Sequence, residues 1–347
     1  MKREDAIIGS ATNLRFLKSV NRLRGSKDAP LDQPVGSLLR KASAFLAANS
    51  ILAGTTGASI LYVCFLLQGI FNYQLICACF FCTLSVYNTD KLTDLDLDLI
   101  NTPERARFVK RHRKLVIASV VSTWAIAFFC GFLYNLYAVV IVAFGFCMGC
   151  LYSVGFLDLR LKDVLIVKNA TISGTFVVGT ALMSLAVNSS DYVAIALVAY
   201  LVFLKLFINT VLFDVRDVEG DRRAGIVTIP TWLGKVKTKN VLLVLNSTFI
   251  PWATFAIFHG LVLKFVIILC SSIPYGYWYI HHFCSDAAVR KSMDLLLDGE
   301  WILLAVLLIL CAFLTSRGLL NAYPHAFILL KNNARDFSSH AICLANK

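Results

Sequence analysis

Apolar and polar positions along the chain fall into long blocks, not into the short alternations of a soluble fold. Apolar runs cover about 42–67, 71–88, 115–134, 137–156, 164–187, 192–213, 240–260, 262–280 and 301–317. Most approach or exceed the ~20 residues that an α-helix needs to cross the ~30 Å hydrocarbon layer of a bilayer. Inside lipid a single segment can satisfy its own backbone only as a helix. The pattern therefore predicts an all-α, polytopic membrane protein of about nine transmembrane helices. Composition agrees: 58% of residues are hydrophobic, 16% are charged and the mean hydropathy is +0.71, more apolar surface than a soluble chain of 347 residues can bury.

The connections alternate in character. Those after the second, fourth, sixth and eighth runs are long or charged; those after the first, third, fifth and seventh are short and nearly uncharged. Lys91, Arg105, Arg107, Lys110, Arg111, Arg113 and Lys114 lie in the second connection, Arg160 and Lys162 in the fourth, and Arg216, Arg222, Arg223, Lys235, Lys237 and Lys239 in the sixth, with Arg290 and Lys291 in the eighth. By the positive-inside bias the N-terminus and all four charged loops face the cytoplasm. Residues 1–41 read as a basic cytoplasmic arm without the short apolar core and cleavage site of a secretory leader. Residues 42–317 form the membrane domain, and 318–347 a tail on the far side to which no function is assigned. The net charge of +12 is thus spent on one membrane side, which argues against a nucleic-acid partner.

Two acidic clusters stand out at the mouths of apolar runs. In the first, Asp90, Asp94 and Asp98 are four apart and form one ridge on a helix, with Asp96 pointing elsewhere. In the second, Asp214, Asp217 and Asp221 fall within roughly 60° of each other at about 100° per residue. Three carboxylates on one face repel unless a cation sits among them. Either cluster alone is compatible with a solvated loop end. Two on the same side point to a paired site for a hard, oxygen-seeking ion, Mg²⁺ above all, which fills its remaining positions with substrate phosphates. A diphosphate clamped this way still gains charge as its carbon–oxygen bond breaks, and a nearby cation stabilises it. Lys162 is the first choice, followed by Arg160; the competing reading for both is a membrane-edge anchor.

Polar residues within apolar runs are costly and so informative. Lys205 and Asn209 are one turn apart in the run leading to Asp214, Asn49 and Ser50 lie in the first run, and Tyr152 closes the fourth. Lys205 is expected to contact substrate, to snorkel, or to be paired inside the bundle; Asn49 and Asn209 serve equally as interhelical hydrogen bonders. The CxxC pairs Cys79/Cys82 and Cys147/Cys150 have no further Cys or His at zinc spacing and read as packing residues. His281 and His282 read as a loop cap.

The chain resembles the UbiA superfamily of intramembrane prenyltransferases over residues 42–317. That family's first motif, NDxxDxxxD followed by Asn-x-Pro-x-Arg, is similar to Asp94, Asp98, Asn101, Pro103 and Arg105. Its second, DxxDxxxD followed by Gly, Thr, Pro and Leu-Gly, resembles Asp214, Asp217, Asp221, Gly225, Thr228, Pro230 and Leu233-Gly234. A third stretch looks like Tyr152-Ser153, Arg160-Leu161-Lys162 and Lys168-Asn169. The family's opening Asn-Asp falls on Asp90-Lys91, and the proline usual near the Tyr-Ser pair is missing. Asp90 can still offer oxygen to a metal, whereas Lys91 would neutralise phosphate or pair with Asp94.

The resemblance implies a UbiA-type bundle around a cavity open to the cytoplasm and to lipid. It implies Mg²⁺ held by Asp94, Asp98, Asp214, Asp217 and Asp221, with Asp90 as a sixth oxygen donor. Lys162, Asp94 and Asp217 would carry catalysis. Asn49, Lys91, Asn101, Arg105, Tyr152, Arg160, Lys162, Lys205, Asn209 and Arg222 make up the expected substrate-binding set. The reaction implied is transfer of an isoprenyl group from an isoprenyl diphosphate, through an allylic carbocation, to a lipophilic, aromatic acceptor. A terpene cyclase on the same scaffold and a non-enzymatic transporter or assembly factor are the alternatives.

Overall fold

Within the described residues each apolar run is mostly helical. In this computed structural model, which describes residues 50–154, 161–261, 263–285 and 293–316, the order is α1 (Ile51–Leu67), α2 (Tyr73–Thr93), α3 (Leu95–Asn101), α4 (Pro103–Arg111), α5 (Arg113–Tyr134), α6 (Leu136–Ser153) and α7 (Val167–Ala186). There follow α8 (Tyr192–Ala224), α9 (Ile229–Leu233), α10 (Lys235–Ser247), α11 (Phe249–His259), α12 (Leu263–Cys270), α13 (Ser272–Phe283) and α14 (Met293–Ser316), with a 3₁₀ turn at Leu161–Asp163 before α7. No strand occurs among the described residues. All of them belong to one unit, Ala44–Lys347. The basic arm 1–41, the tail 318–347 and the candidate residues Asn49 and Arg160 lie outside the described residues.

Several helix starts are written in polar side chains. Asn72, Asn135 and Asp191 sit just before α2, α6 and α8, and each side-chain oxygen accepts from the backbone N–H three residues on, at 2.9, 2.8 and 2.9 Å. Such caps satisfy donors that the first helical turn leaves open. α8 stops at Gly225, whose φ of 72° is a left-handed conformation open to glycine at little cost.

The all-α membrane class holds, while the count of nine membrane helices is not confirmed. Among the described residues six helical stretches meet the length and hydropathy of a span, Arg113–Tyr134, Leu136–Ser153, Val167–Ala186, Tyr192–Ala224, Lys235–His259 and Met293–Leu314, and α1 is a shorter apolar helix. α2 is long enough, but Thr83, Ser85, Asn88, Thr89, Asp90 and Lys91 make its second half polar. The run at 262–280 is delivered as two short helices, α12 and α13, divided at Ser271.

α8 is the axis of the bundle. Its apolar window is 61% buried, against 17% for α5. A helix apolar all round is buried on all sides when other helices surround it and faces lipid when they do not. The largest core cluster packs α8 against α1, α10, α11, α12, α13 and α14 through Leu201, Ile208, Phe249, Tyr279, Leu297 and Trp301. Two smaller clusters join α2 to α1, α6 and α7 through Leu61, Phe65, Leu75 and Met183, and to α5 and α6 through Trp124, Ala127 and Val142. α5 and α6 carry a belt of exposed Phe129, Phe132, Leu133, Leu136, Tyr137 and Val140, the surface a lipid-facing helix requires. With 33 residues, α8 is about 50 Å long, well beyond the ~30 Å of hydrocarbon, and its last three turns are its polar ones. Those turns hold Asp214, Asp217 and Asp221.

Candidate active site

The first aspartate ridge is bent. Asp90 lies in the last turn of α2, but Asp94, at φ −106° and ψ 21°, closes α2 and opens α3, so the three carboxylates do not share one straight helix as their spacing predicts. The turn-by-turn register survives, because Asp94 N–H donates to the Asp90 carbonyl at 3.0 Å and Asp98 N–H to the Asp94 carbonyl at 2.8 Å. The second cluster keeps the expected face on an unbroken α8. Asp214 and Asp221 are 1% exposed.

The two clusters approach each other at Gly220. A Cβ on Gly220 of α8 would lie 2.0 Å from Asn101 Oδ1 at the end of α3. The Asn101 side chain fills the space over Gly220 that a side chain there would occupy, which gives Asn101 a packing role between α3 and α8. Tyr152 lies within electrostatic reach of both Asp90 and Asp214.

Basic side chains stand where carboxylates need counter-charge. Lys162, 5% exposed, places its Nζ 2.8 Å from Asp90 Oδ1 and 2.8 Å from Asp94 Oδ1. The same ammonium donates to Thr93 Oγ1 at 3.3 Å and lies 5.8 Å from the centre of the Tyr152 ring; Ser153 Oγ donates to Asp90 at 3.0 Å. Arg105 holds Asp98 at 2.7 Å. On the other side Lys168 Nζ is 2.6 Å from Asp214 Oδ1, and Asn169 Nδ2 donates to Asp214 Oδ2 at 2.9 Å. Arg216 engages both oxygens of Asp217 at 2.9 Å and reaches Asp294 of α14 at 2.6 Å. Buried Asp221 differs, since its Oδ2 has no hydrogen-bond partner. Lys162 and Lys168 are set by a tight turn in which Ile166, a β-branched residue, holds φ at +66°. That strain, about 1–3 kcal/mol, is typical of functional turns.

Among the described residues no group of three Asp, Glu, His or Cys side chains is already gathered to hold an ion. The carboxylates are instead shared out among lysines and arginines. The donor set is nonetheless right for a hard divalent cation: six carboxylates, a buried Asp221 oxygen without a partner, and Lys162 showing that one positive charge fits between two of the aspartates.

A cavity of about 150 Å³ opens beside this cluster between α2, α6 and α7. Asp90, Tyr87 and Tyr152 line it together with Phe144, Met148, Phe176 and Met183, so a charged rim meets an apolar bowl.

Other expected residues lie elsewhere. Lys205 is 1% exposed and sits in the bundle, 2.6 Å from Glu300 Oε1 and donating to the Ser272 carbonyl at 3.0 Å. Asn209 donates to the Leu297 carbonyl at 3.3 Å. Of the sequence alternatives, both match the interhelical pairing role, and neither lines the cavity. Arg222 is exposed. Lys91 is buried within electrostatic reach of Asp90, Asp98, Arg105 and Asp294. His282 stacks on Trp278 with centroids 5.4 Å apart. The sequence marks Arg216 only as a charge of the sixth connection, and it does not single out Asp294 or Asp298. Asp294 and Asp298 repeat the four-residue spacing, but they lie ahead of the last apolar run, which begins at 301.

Residues 42–297 match the UbiA prenyltransferase family. Solved structures agree in fold. A UbiA homologue from Archaeoglobus fulgidus bound to GPP and Mg²⁺ is 13% identical with a TM-score of 0.57, over 78% of this chain and 98% of that one. A structure described as digeranylgeranylglyceryl phosphate synthase in membranes is 14% identical with a TM-score of 0.51, over 80% of this chain and 98% of that one. The A. fulgidus homologue bound to DMAPP and Mg²⁺ gives 13%, 0.53, 76% and 98%. No curated protein matches by sequence. With the family match extending over most of the described bundle and both aspartate clusters, this chain belongs to the UbiA prenyltransferase family.

Proposed function

We propose that this membrane enzyme ionises an isoprenyl diphosphate at the paired aspartate clusters and transfers the isoprenyl group to a lipophilic, aromatic acceptor, with the site open to the cytoplasmic side. One observation carries the reading: Asp90, which with Asp94 holds the buried Lys162, stands at the rim of an apolar cavity lined by Tyr87 and Tyr152. Structural relatives captured with GPP or DMAPP and Mg²⁺ support the same assignment.

The residues fit Mg²⁺. Asp94 and Asp98 on one side, and Asp214, Asp217 and Asp221 on the other, would hold it, with Asp90 as a further oxygen donor. When bound, Mg²⁺ offsets the charge of the diphosphate oxygens. The chain's own groups do the rest. Lys162 and Lys168 are released from their aspartates as donor charge arrives, and each then faces the departing diphosphate, whose charge rises as the C1–O bond breaks. Tyr152 and Tyr87 turn aromatic surface toward the cavity, where a ring stabilises the allylic cation left behind. Phe144, Met148, Phe176 and Met183 keep water from capturing that cation. The acceptor attacks C1, and an aromatic acceptor then loses a ring proton.

The test uses purified protein in nanodiscs with Mg²⁺ and geranyl, farnesyl or geranylgeranyl diphosphate, with and without a pool of membrane-soluble acceptors, and EDTA as control. Magnesium-dependent diphosphate release that needs the acceptor is the expected result. Release without acceptor, giving a cyclic hydrocarbon, identifies a cyclase. No release from any donor defeats the enzyme reading, as does an Asp217→Ala variant that keeps the wild-type rate.

A further inference from the structure

We propose that Arg216 and Asp294 are positioning residues for the second aspartate cluster, through which the last helix sets the carboxylate that Asp217 presents to the donor site. The inference rests on the assignment of Asp217 given above. Neighbouring residues on a helix point about 100° apart, so an arginine does not naturally face the residue that follows it. Here Arg216 folds back so that Nε and Nη2 meet the two Asp217 oxygens at 2.9 Å each. Its third nitrogen, Nη1, is held at 2.6 Å by Asp294, in the first turn of α14. The guanidinium also lies 5.0 Å from the centre of the Phe213 ring.

A planar fork on both oxygens dictates the orientation of a carboxylate, not only its charge. Burial separates this contact from an ordinary surface pair. The Arg216 side chain is 10% exposed and Asp217 18%, whereas Arg223 and Glu219, on the same helix, are 51% and 63% exposed. Asp298, one turn beyond Asp294, places a second α14 carboxylate within electrostatic reach of Arg216 and Lys91. The competing role for Asp294 is local, since an acidic residue in a first turn favours the helix N-terminus.

The experiment compares Arg216→Lys, Asp294→Asn and the double variant in the full-length protein. Diphosphate release is titrated against Mg²⁺ at saturating donor, and thermal unfolding is recorded on the same samples. Arg216→Lys keeps the charge and loses the fork. Each single variant is expected to raise the Mg²⁺ needed for half-maximal rate, or to lower kcat, by about 10- to 100-fold, as for groups that orient metal ligands. The double variant should be little worse than the poorer single one, because the pair acts as a unit. Arg223→Met, which removes a charge from the exposed pair on the same helix, should shift neither quantity. Wild-type Mg²⁺ dependence and kcat in both singles, with Asp217→Ala inactive, overturns this inference alone, and so does an activity loss that only tracks loss of folded protein. Wild-type turnover in Asp217→Ala removes the assignment beneath it.

Discussion

Replacing Lys162 by alanine separates a catalytic cation from a structural one. The ammonium is 5% exposed and 2.8 Å from an oxygen of Asp90 and from one of Asp94, whose side chains are 35% and 18% exposed. Removing one member of a fully buried pair costs about 3–5 kcal/mol. Both aspartates reach solvent, so screening brings the expected loss of stability to roughly 1–2 kcal/mol. The loss in the reaction should be larger. A preorganised group facing developing negative charge is worth on the order of 100- to 1000-fold in rate, or about 2.7–4 kcal/mol. Single-turnover release of diphosphate, at saturating donor and Mg²⁺ and corrected for folded protein, should therefore fall by at least about 100-fold. Lys162→Arg, which keeps the charge, should recover part of that loss. Mg²⁺ affinity should hold or improve, because Asp90 and Asp94 lose a competing cation. A Lys162→Ala enzyme within about threefold of wild type would leave Lys162 only the role of filling charge between two aspartates.

Other expectations follow from the packing. Gly220→Ala puts a carbon 2.0 Å from Asn101 Oδ1; moving the Asn101 side chain aside should cost about 1 kcal/mol and raise the donor KM, and unchanged kinetics with an unchanged melting curve would refute the close approach. Lys205→Met strands Glu300 in the bundle and should destabilise by about 3–5 kcal/mol, with Lys205→Met/Glu300→Leu recovering most of it; detergent melting curves decide, and a double variant no better than the single contradicts the pairing. Asp191→Ala removes the α8 cap for about 1 kcal/mol. The Ala194 N–H, with a smaller contribution from His259, holds the Asp191 carboxyl below the usual carboxylate range. The cap is thus complete above the ordinary carboxylate pKa and is lost as pH falls through the depressed value. A wild-type minus Asp191→Ala stability difference that grows on acidification would contradict that sign.

The membrane class and most helix positions were legible because lipid makes a simple demand, that a crossing segment be apolar for its length, and such a demand is met locally. The same holds for the second aspartate face. Asp214, Asp217 and Asp221 share an uninterrupted helix, so periodicity alone places them. The first face was legible in residues but not in shape, since nothing in the spacing of Asp90, Asp94 and Asp98 announces that Asp94 ends one helix and starts the next. α2, α12 and α13, counted as apolar runs in the sequence, fall short of a single apolar span for a related reason, as polar residues in α2 and a break at Ser271 interrupt them.

Partnership was decided only by tertiary structure. Lys205 and Lys162 are both lysines near apolar runs, yet one is matched by Glu300 inside the bundle and the other by Asp90 at the cavity rim together with Asp94. Arg216 reads as a loop cation until α14, 78 residues further along the chain, brings Asp294 to it. Periodicity along one helix determines which side chains share a face, because that depends on the 100° step alone. Which face meets which depends on how helices distant in sequence pack, as where the Asn101 side chain at the end of α3 lies over Gly220 of α8.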